Sequence, residues 1–495
     1  MNKNILVVGS GIGGLSAAIR LQNEGYAVTL LEKNSFLGGK TSNLSCNGFK
    51  FDLCATIPVI FDPYIELFKD INENIHDYID ISLIDPLYKV FFENNSNYIF
   101  SSCIPKLTET ISNIDNRDLK NYLSLISKSY IDFTEINNVF LKVPLTTNKD
   151  ILKLKNIKTL INKDLDSTCY EYLKDNLKSE LLINSLLFQS MYMGVSPYNA
   201  SSLFTILPLI NYSTGMFFIR GGISSYIKSL ISIFKKRGGN IKINSEVTKF
   251  IFNNRTCIGV LLKNNEQLFS DIVVCNADVP YALENLIPKK LNIKNKYNSA
   301  NDFSCSSFIM HLVIDKRLPQ LSIHNSIISE NFKYNIEAPF NGDLQTNPHL
   351  YVYCPTRINK TGNYELITIN LRVPNLLFNN VTWNNKTIYS LKNSIINTLE
   401  KHLKISNLQN YIKYEKYITP LDFLNAFNSY AGAGYGINHS FKNLLFFRPQ
   451  CKIKGLNNLY FVGASTHPGA GVSIVLNSSK IAVSTINEDI KKQQY

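Results

Sequence analysis

Three glycines and an acid carry the first chemical signal in this chain. Gly9, Gly11 and Gly14 are spaced G-x-G-x-x-G, and Glu32 follows at about the 20-residue interval expected of an acid that bonds ribose hydroxyls. The first glycine permits a tight turn, the second lets backbone approach a pyrophosphate, and the third lets a helix pack closely on a strand. The elements that must position them are legible on either side. Residues 5–8 form an apolar run short enough for a buried strand. Residues 15–23 are rich in Ala and Leu and are predicted to be helical, with Gly25 as the stop. Residues 27–31 are a second apolar strand that delivers Glu32. The helix N-terminus would aim N–H groups and the positive end of its dipole at a phosphate. Together these features predict a dinucleotide site, against the alternative of an ordinary βαβ unit with a glycine turn. An acid at position 32 repels a 2′-phosphate, which argues against NADP.

Two further clusters have the same character. Gly38, Gly39 and Lys40 offer a second close backbone approach and a cation, or else a flexible loop. Near the C-terminus a strand at 459–462 leads into Gly463, His467-Pro468, Gly469 and Gly471, and a helix is predicted over 472–483. A strand delivering glycines to a helix start suits a phosphate or a polar ring. His467 reads equally as a packed loop histidine or a catalytic one.

The 495 residues exceed one ordinary core and imply two domains, interleaved along the chain. Charged residues are 18% against a usual quarter, so the composition is globular with an apolar bias. That bias suits an apolar cavity or a membrane-contacting surface. The net charge of +13 comes without a compact basic run or a zinc spacing, so nucleic acid is not an expected partner. Attraction to anionic lipid headgroups is compatible with it. Nine scattered cysteines, none in C-x-x-C, predict free thiols in a reducing compartment. No run reaches the roughly 18 apolar residues of a transmembrane helix. The expected location is cytoplasmic, peripheral to a membrane.

Along the chain, Asn47-Gly48 between alternating residues predicts a hairpin, with Phe49, Phe51 and Leu53 on one side. Strands are predicted at 88–92, 98–101, 241–243, 247–252, 257–262, 272–275, 304–314, 351–353 and 365–373, and helices at 223–236 and 387–403. Residues 181–195 form a helix apolar on nearly every face, which is either core or the wall of a lipid tunnel. The expected class is α/β: a Rossmann-like dinucleotide domain with a parallel sheet, from 1–85, 222–298 and 446–495. It is interleaved with an α+β substrate domain from 86–221 and 299–445.

The N-terminal unit extended by Gly38-Gly39-Lys40 resembles the FAD-binding amine oxidase and carotenoid desaturase superfamily. Gly48-Phe49-Lys50-Phe51-Asp52, FQSMYMGVSPYNA at 188–200, Gly221-Gly222, Asn276-Ala277-Asp278, His324-Asn325 and GASTHPGAGV at 463–472 narrow this to bacterial-type phytoene desaturases. Phe303-Ser-Cys-Ser306, Tyr351-Val352-Tyr353 and IVLNSSKIAV after the C-terminal motif are most similar to the 4,4′-diapophytoene desaturases, which act on C30 chains. The resemblance implies FAD, a linear C30 or C40 polyene drawn from a membrane, and quinone or O₂ as electron acceptor. Carried over by position, it places Gly9, Gly11, Gly14, Glu32, Gly39 and Lys40 at the ADP part and Val247 at adenine. Gly463 falls at the diphosphate or ribityl region, and Gly471 and Val472 at the isoalloxazine. His467 and Asp422 are the candidate proton acceptors. The chain departs from the family at Cys54 and Ala55, where Gly and Pro are usual, at Ser473, where proline is usual, and at Ala431, often basic. Rival readings on the same scaffold are a carotenoid oxygenase or isomerase, a soluble amine oxidase, and a non-catalytic prenyl-binding protein of the GDP-dissociation-inhibitor type.

Overall fold

The computed structural model describes residues 3–145, 167–190, 193–359 and 362–493. Its organising element is a five-stranded, all-parallel sheet ordered Leu459–Phe461, Ile272–Cys275, Asn4–Val8, Ala27–Leu31, Asn240–Lys242. Strands from three distant stretches therefore share one sheet. Their near-continuous apolar character follows from burial on both faces. Alternate residues serve the two faces: Ile5 and Val7 pack with the helices Ile12–Asn23, Ile223–Lys236 and Val472–Gln493. Leu6 and Val8 pack under the antiparallel sheet Val247–Asn253, Thr256–Leu262, Gln267–Phe269.

A seven-stranded sheet forms the second layer system, ordered Ile412–Ile418, Ser306–Ile314, Glu365–Val373, Leu350–Tyr353, His324–Ile328, Tyr88–Phe92, Asn97–Phe100. All its pairings are antiparallel except that of His324–Ile328 with Tyr88–Phe92. Leu350 and Val352 face the helix Asn385–Leu403, while Tyr351 and Tyr353 face the helices Leu119–Ile136, Glu180–Ser190 and Ile206–Thr214. Period-two alternation thus sends successive side chains of the strand Leu350–Tyr353 to opposite cores.

The hairpin Asn43–Cys46/Phe49–Asp52 forms as expected. Asn47 (φ 48°) and Gly48 (φ 81°) both occupy the left-handed region that a tight two-residue turn demands. Two readings needed correction, and one pairing was not anticipated. The C-terminal helix runs past 483 to Gln493, because Ala482, Ile486 and Ile490 continue its buried stripe. The apolar helix at 181–195 is Glu180–Ser190, buried through Leu182, Ile183, Leu186 and Leu187; residues 191–192 of that stretch lie outside the described residues. Ile81–Ile84 pairs with Met216–Ile219 in a ribbon that no local pattern announced, since its partner is far along the chain.

Candidate cofactor and active site

Four of the parallel strands end at one cavity of about 300 Å³. Val8 runs into Gly9, Leu31 into Glu32, Cys275 into Asn276, and Phe461 into Val462 and Gly463, and all but Cys275 and Phe461 line it. The crevice outside the carboxyl ends of a parallel sheet is where such folds bind ligands. The far wall comes from the seven-stranded sheet, through Ser307, Ile309 and Asn370, and from Gly434, Tyr435 and Gly436. Lys33, Ser245, Glu246 and Val247 lie at the Glu32 end.

The residues present fit a flavin dinucleotide. A Cβ on Gly14 would stand 2.0 Å from the Gly9 carbonyl oxygen, so only glycine lets the helix Ile12–Asn23 approach its strand this closely. Gly14 itself does not line the cavity; its part is that close packing. A Cβ on Gly11 would stand 2.8 Å from Asn276 Nδ2, leaving bare backbone against the space. Gly11 caps the helix with no side-chain hydrogen bond. The first-turn N–H groups therefore stay available for an anion. Gly39 packs on Gly11, and Gly471 and Val472 present the start of the C-terminal helix to the same space.

Glu32 is buried and does more than the spacing implied. Its Oε2 accepts from Ser10 N (2.9 Å) and Ser10 Oγ (2.6 Å), and its Oε1 from Asn34 N (2.9 Å) and Asn34 Nδ2 (3.0 Å). The acid thus ties the glycine turn to the end of its own strand. Lys40 is half-buried, donates from Nζ to the Gly434 carbonyl (3.0 Å) and stands over the Phe423 ring. Burial lowers its pKa, and nearby Asp278 opposes that shift. Asp278 accepts from the Ser465 hydroxyl and from Tyr430 N (2.9 Å), and burial raises its pKa. Cys54 and Ala55 line the cavity, and burial pushes the Cys54 thiol up to about 12, so it stays protonated.

The two candidate proton acceptors do not join this constellation. His467 is buried away from the cavity and donates from Nε2 to the Phe140 carbonyl (2.9 Å). Burial lowers its pKa to about 4. Asp422 is exposed and caps its own helix, Pro420–Phe427, accepting from Thr419 N and Thr419 Oγ1 (2.7 Å each). Of the departures, Ser473 is buried in the first turn of the C-terminal helix, and Ala431 sits at φ 57°.

Several wall residues were not among the predicted site residues, although Asn276 stood in one of the family motifs. Asn276 touches the space above Gly9, Gly11, Gly13 and Gly463; the available signal was a polar residue at the end of an apolar strand, as at Glu32. Ser307, Ile309, Asn370 and Tyr435 gave no signal, because their facing is set by strand register.

Residues 12–487 match the family model of flavin containing amine oxidoreductases. The chain belongs to that family. It is also 31% identical over 509 residues to the 4,4′-diapophytoene desaturase (4,4′-diaponeurosporene-forming) of Staphylococcus aureus strain Newman, covering 99% of each chain. Among solved structures, an oxidoreductase from Methanosarcina mazei superposes with a TM-score of 0.65 at 16% identity, covering 98% of this chain and 100% of that one. A Rab GDI from Plasmodium falciparum superposes with a TM-score of 0.52 at 11% identity, with 97% of each covered. These two likenesses show the fold alone. For a flavin-containing amine oxidoreductase the parallel sheet is the FAD-binding Rossmann-like part.

Proposed function

We infer that this chain is an FAD-dependent desaturase that introduces conjugated double bonds into a linear polyene of the 4,4′-diapophytoene or phytoene type. The observation that carries the reading is the end-to-end likeness to the staphylococcal desaturase, 31% over 99% of both chains. The oxygenase, isomerase and prenyl-binding readings have no comparable support.

Each desaturation removes a hydride from one allylic carbon and a proton from its neighbour, leaving the new double bond in conjugation. FAD, when bound, supplies the hydride acceptor. The chain's own residues orient and enclose. Glu32 and Val247 hold the nucleoside end, while the first-turn N–H groups after Gly11, with Gly39, Lys40 and Gly463, hold the diphosphate. Gly471 and Val472 face the ring end. Asp278 fixes the segment bearing Tyr430 by its bond to Tyr430 N, and Lys40 fixes Gly434. That keeps Tyr435 in the far wall and water out of the reaction space. His467 and Asp422 have structural work and are not assigned the proton.

We take 1–85, 222–298 and 446–495 as the cofactor domain and 86–221 and 299–445 as the substrate domain. In support, all five parallel strands fall in the first set and all seven strands of the larger sheet in the second. Among the described residues no helix is long and apolar enough to cross a membrane. Peripheral attachment is supported by exposed Ile104, Tyr130 and Ile131 on neighbouring helices. Reoxidation falls to a quinone or O₂.

Co-expression with a C30 or a C40 synthase in a pigment-free bacterium tests the activity. Extracted polyenes that lose two hydrogens per step, with a red-shifting spectrum, are expected, and the host that colours identifies the chain length. Unchanged precursor in both hosts, from folded and flavin-loaded protein, refutes it.

A further inference from the structure

Among the described residues Arg372 is a buried cation without an ion-paired anion. Its side chain is 7% exposed at the end of the strand Glu365–Val373. Its Nη1 donates to Ser307 Oγ (2.7 Å) and Asn370 Oδ1 (3.0 Å), and the guanidinium stacks 4.9 Å from the Tyr435 ring centroid. All three partners are neutral, and all three line the cofactor cavity. The other deeply buried guanidiniums are satisfied differently. Arg20 pairs with Asp70, and Arg448 donates to five backbone carbonyls that knit two loops together.

A buried charge is retained where something compensates it. An apolar polyene offers no compensation. The diphosphate would lie at Gly11, Gly39 and Lys40, in the middle of the cavity, with a cation of its own. The sheet-side end, opposite Glu32, is left for the flavin ring, which gains negative charge when it takes up two electrons. We propose that Arg372 sets a fixed positive charge against the ring end of FAD and so raises its reduction potential, favouring hydride removal from an unactivated hydrocarbon. This rests on the flavin reading above. The balance is unchanged by it: two electrons and one proton's mass pass to the flavin as hydride, the second proton leaves the substrate to a base, and Arg372 keeps its protons throughout.

The test is the two-electron midpoint potential of reconstituted protein, measured by dye equilibration without substrate, beside the FAD dissociation constant. Wild-type protein that takes up no flavin refutes the flavin reading itself. Given loading, Arg372→Gln is expected to lower the potential by about 30 mV or more, a tenfold change in the equilibrium of a two-electron couple. Its FAD affinity should change less than threefold, and Arg372→Lys should stay near wild type. An unchanged potential in loaded R372Q overturns the proposal, and so does tenfold weaker FAD binding without a potential shift, which would place the charge at the diphosphate. Arg372→Met serves if the glutamine variant does not fold. Failure of both neutral variants to load FAD assigns the charge to cofactor retention, and failure of the lysine variant as well assigns Arg372 to holding Tyr435; either result overturns it.

Discussion

At the scale of single residues, Glu32 has two jobs that a conservative change separates badly. Its carboxylate accepts four hydrogen bonds from Ser10 and Asn34, and hydrogen bonds to a charged group contribute about 1.5–3 kcal/mol each. Glu32→Gln keeps the shape but turns an NH₂ toward N–H donors on one side. The glycine turn then loses its tie to the second strand, and the cavity loses the acid at the end of that strand. FAD should bind at least tenfold more weakly, read by flavin fluorescence on titrating apoprotein; unchanged affinity would deny Glu32 a part in the site. Gly14→Ala is the steric counterpart. Its Cβ meets the Gly9 carbonyl at 2.0 Å, so the helix must lift from its strand. Overpacking of this kind typically destabilises by about 1–3 kcal/mol. Thermal unfolding of the FAD-free protein reports that loss separately from cofactor binding.

At the scale of elements, the capping box of Pro420–Phe427 gives a sharp contrast with chemistry. Asp422→Ala removes the acceptor for Thr419 N and Oγ1 and should cost about 1 kcal/mol of stability. Desaturation by loaded protein should persist at near the wild-type rate. A loss of turnover without a loss of stability would return Asp422 to the chemistry. Elements also explain what the sequence made legible. The G-x-G-x-x-G turn, Glu32, Lys40 and the 463–472 glycines are local to their strands, and their facing follows from where each strand must end. Helix Ile223–Lys236 and strand Glu365–Val373 match their predicted bounds because their patterns are complete within one window. The ribbon Ile81–Ile84/Met216–Ile219 and the wall formed by Ser307, Asn370 and Tyr435 depend on partners far away in the chain. Register, rather than composition, decides them. The placement of His467 has a similar cause: although it stands between glycines beside the site, its ring turns toward Phe140, a partner far away in the chain.

At the scale of the whole molecule, buried titratable groups set the pH range in which the fold survives. Burial depresses His311, His349 and His467 to about 4 and His324 to about 3, and takes His439 well below its ordinary value. Unfolded, each titrates near 6.5. Between about pH 6.5 and 4 the unfolded chain therefore binds more protons, and stability falls as pH falls. One pKa unit corresponds to 1.36 kcal/mol, so a single fully buried histidine of this kind withdraws about 3 kcal/mol by pH 4. Asp52 acts with the opposite sign. Burial raises it to about 7, against about 3.8 unfolded, while Ser224 and Ile223 N–H groups partly offset that shift. The folded chain thus holds an extra proton between those values, and this contribution is lost as pH rises through 7. Above that point a charged carboxylate is confined beside Gly222, with the Ile223 N–H and a long bond from Ser224 N (3.3 Å) as its donors. Asp52→Asn keeps the shape and the acceptor and removes the charge. The variant should melt higher than wild type at pH 8, with an advantage that narrows as pH falls below 7 and closes near 3.8, while both lose stability together from pH 6.5 toward 4. Melting curves across that range decide it: an advantage independent of pH, or none at pH 8, would mean that the Asp52 carboxylate is not held protonated by the fold.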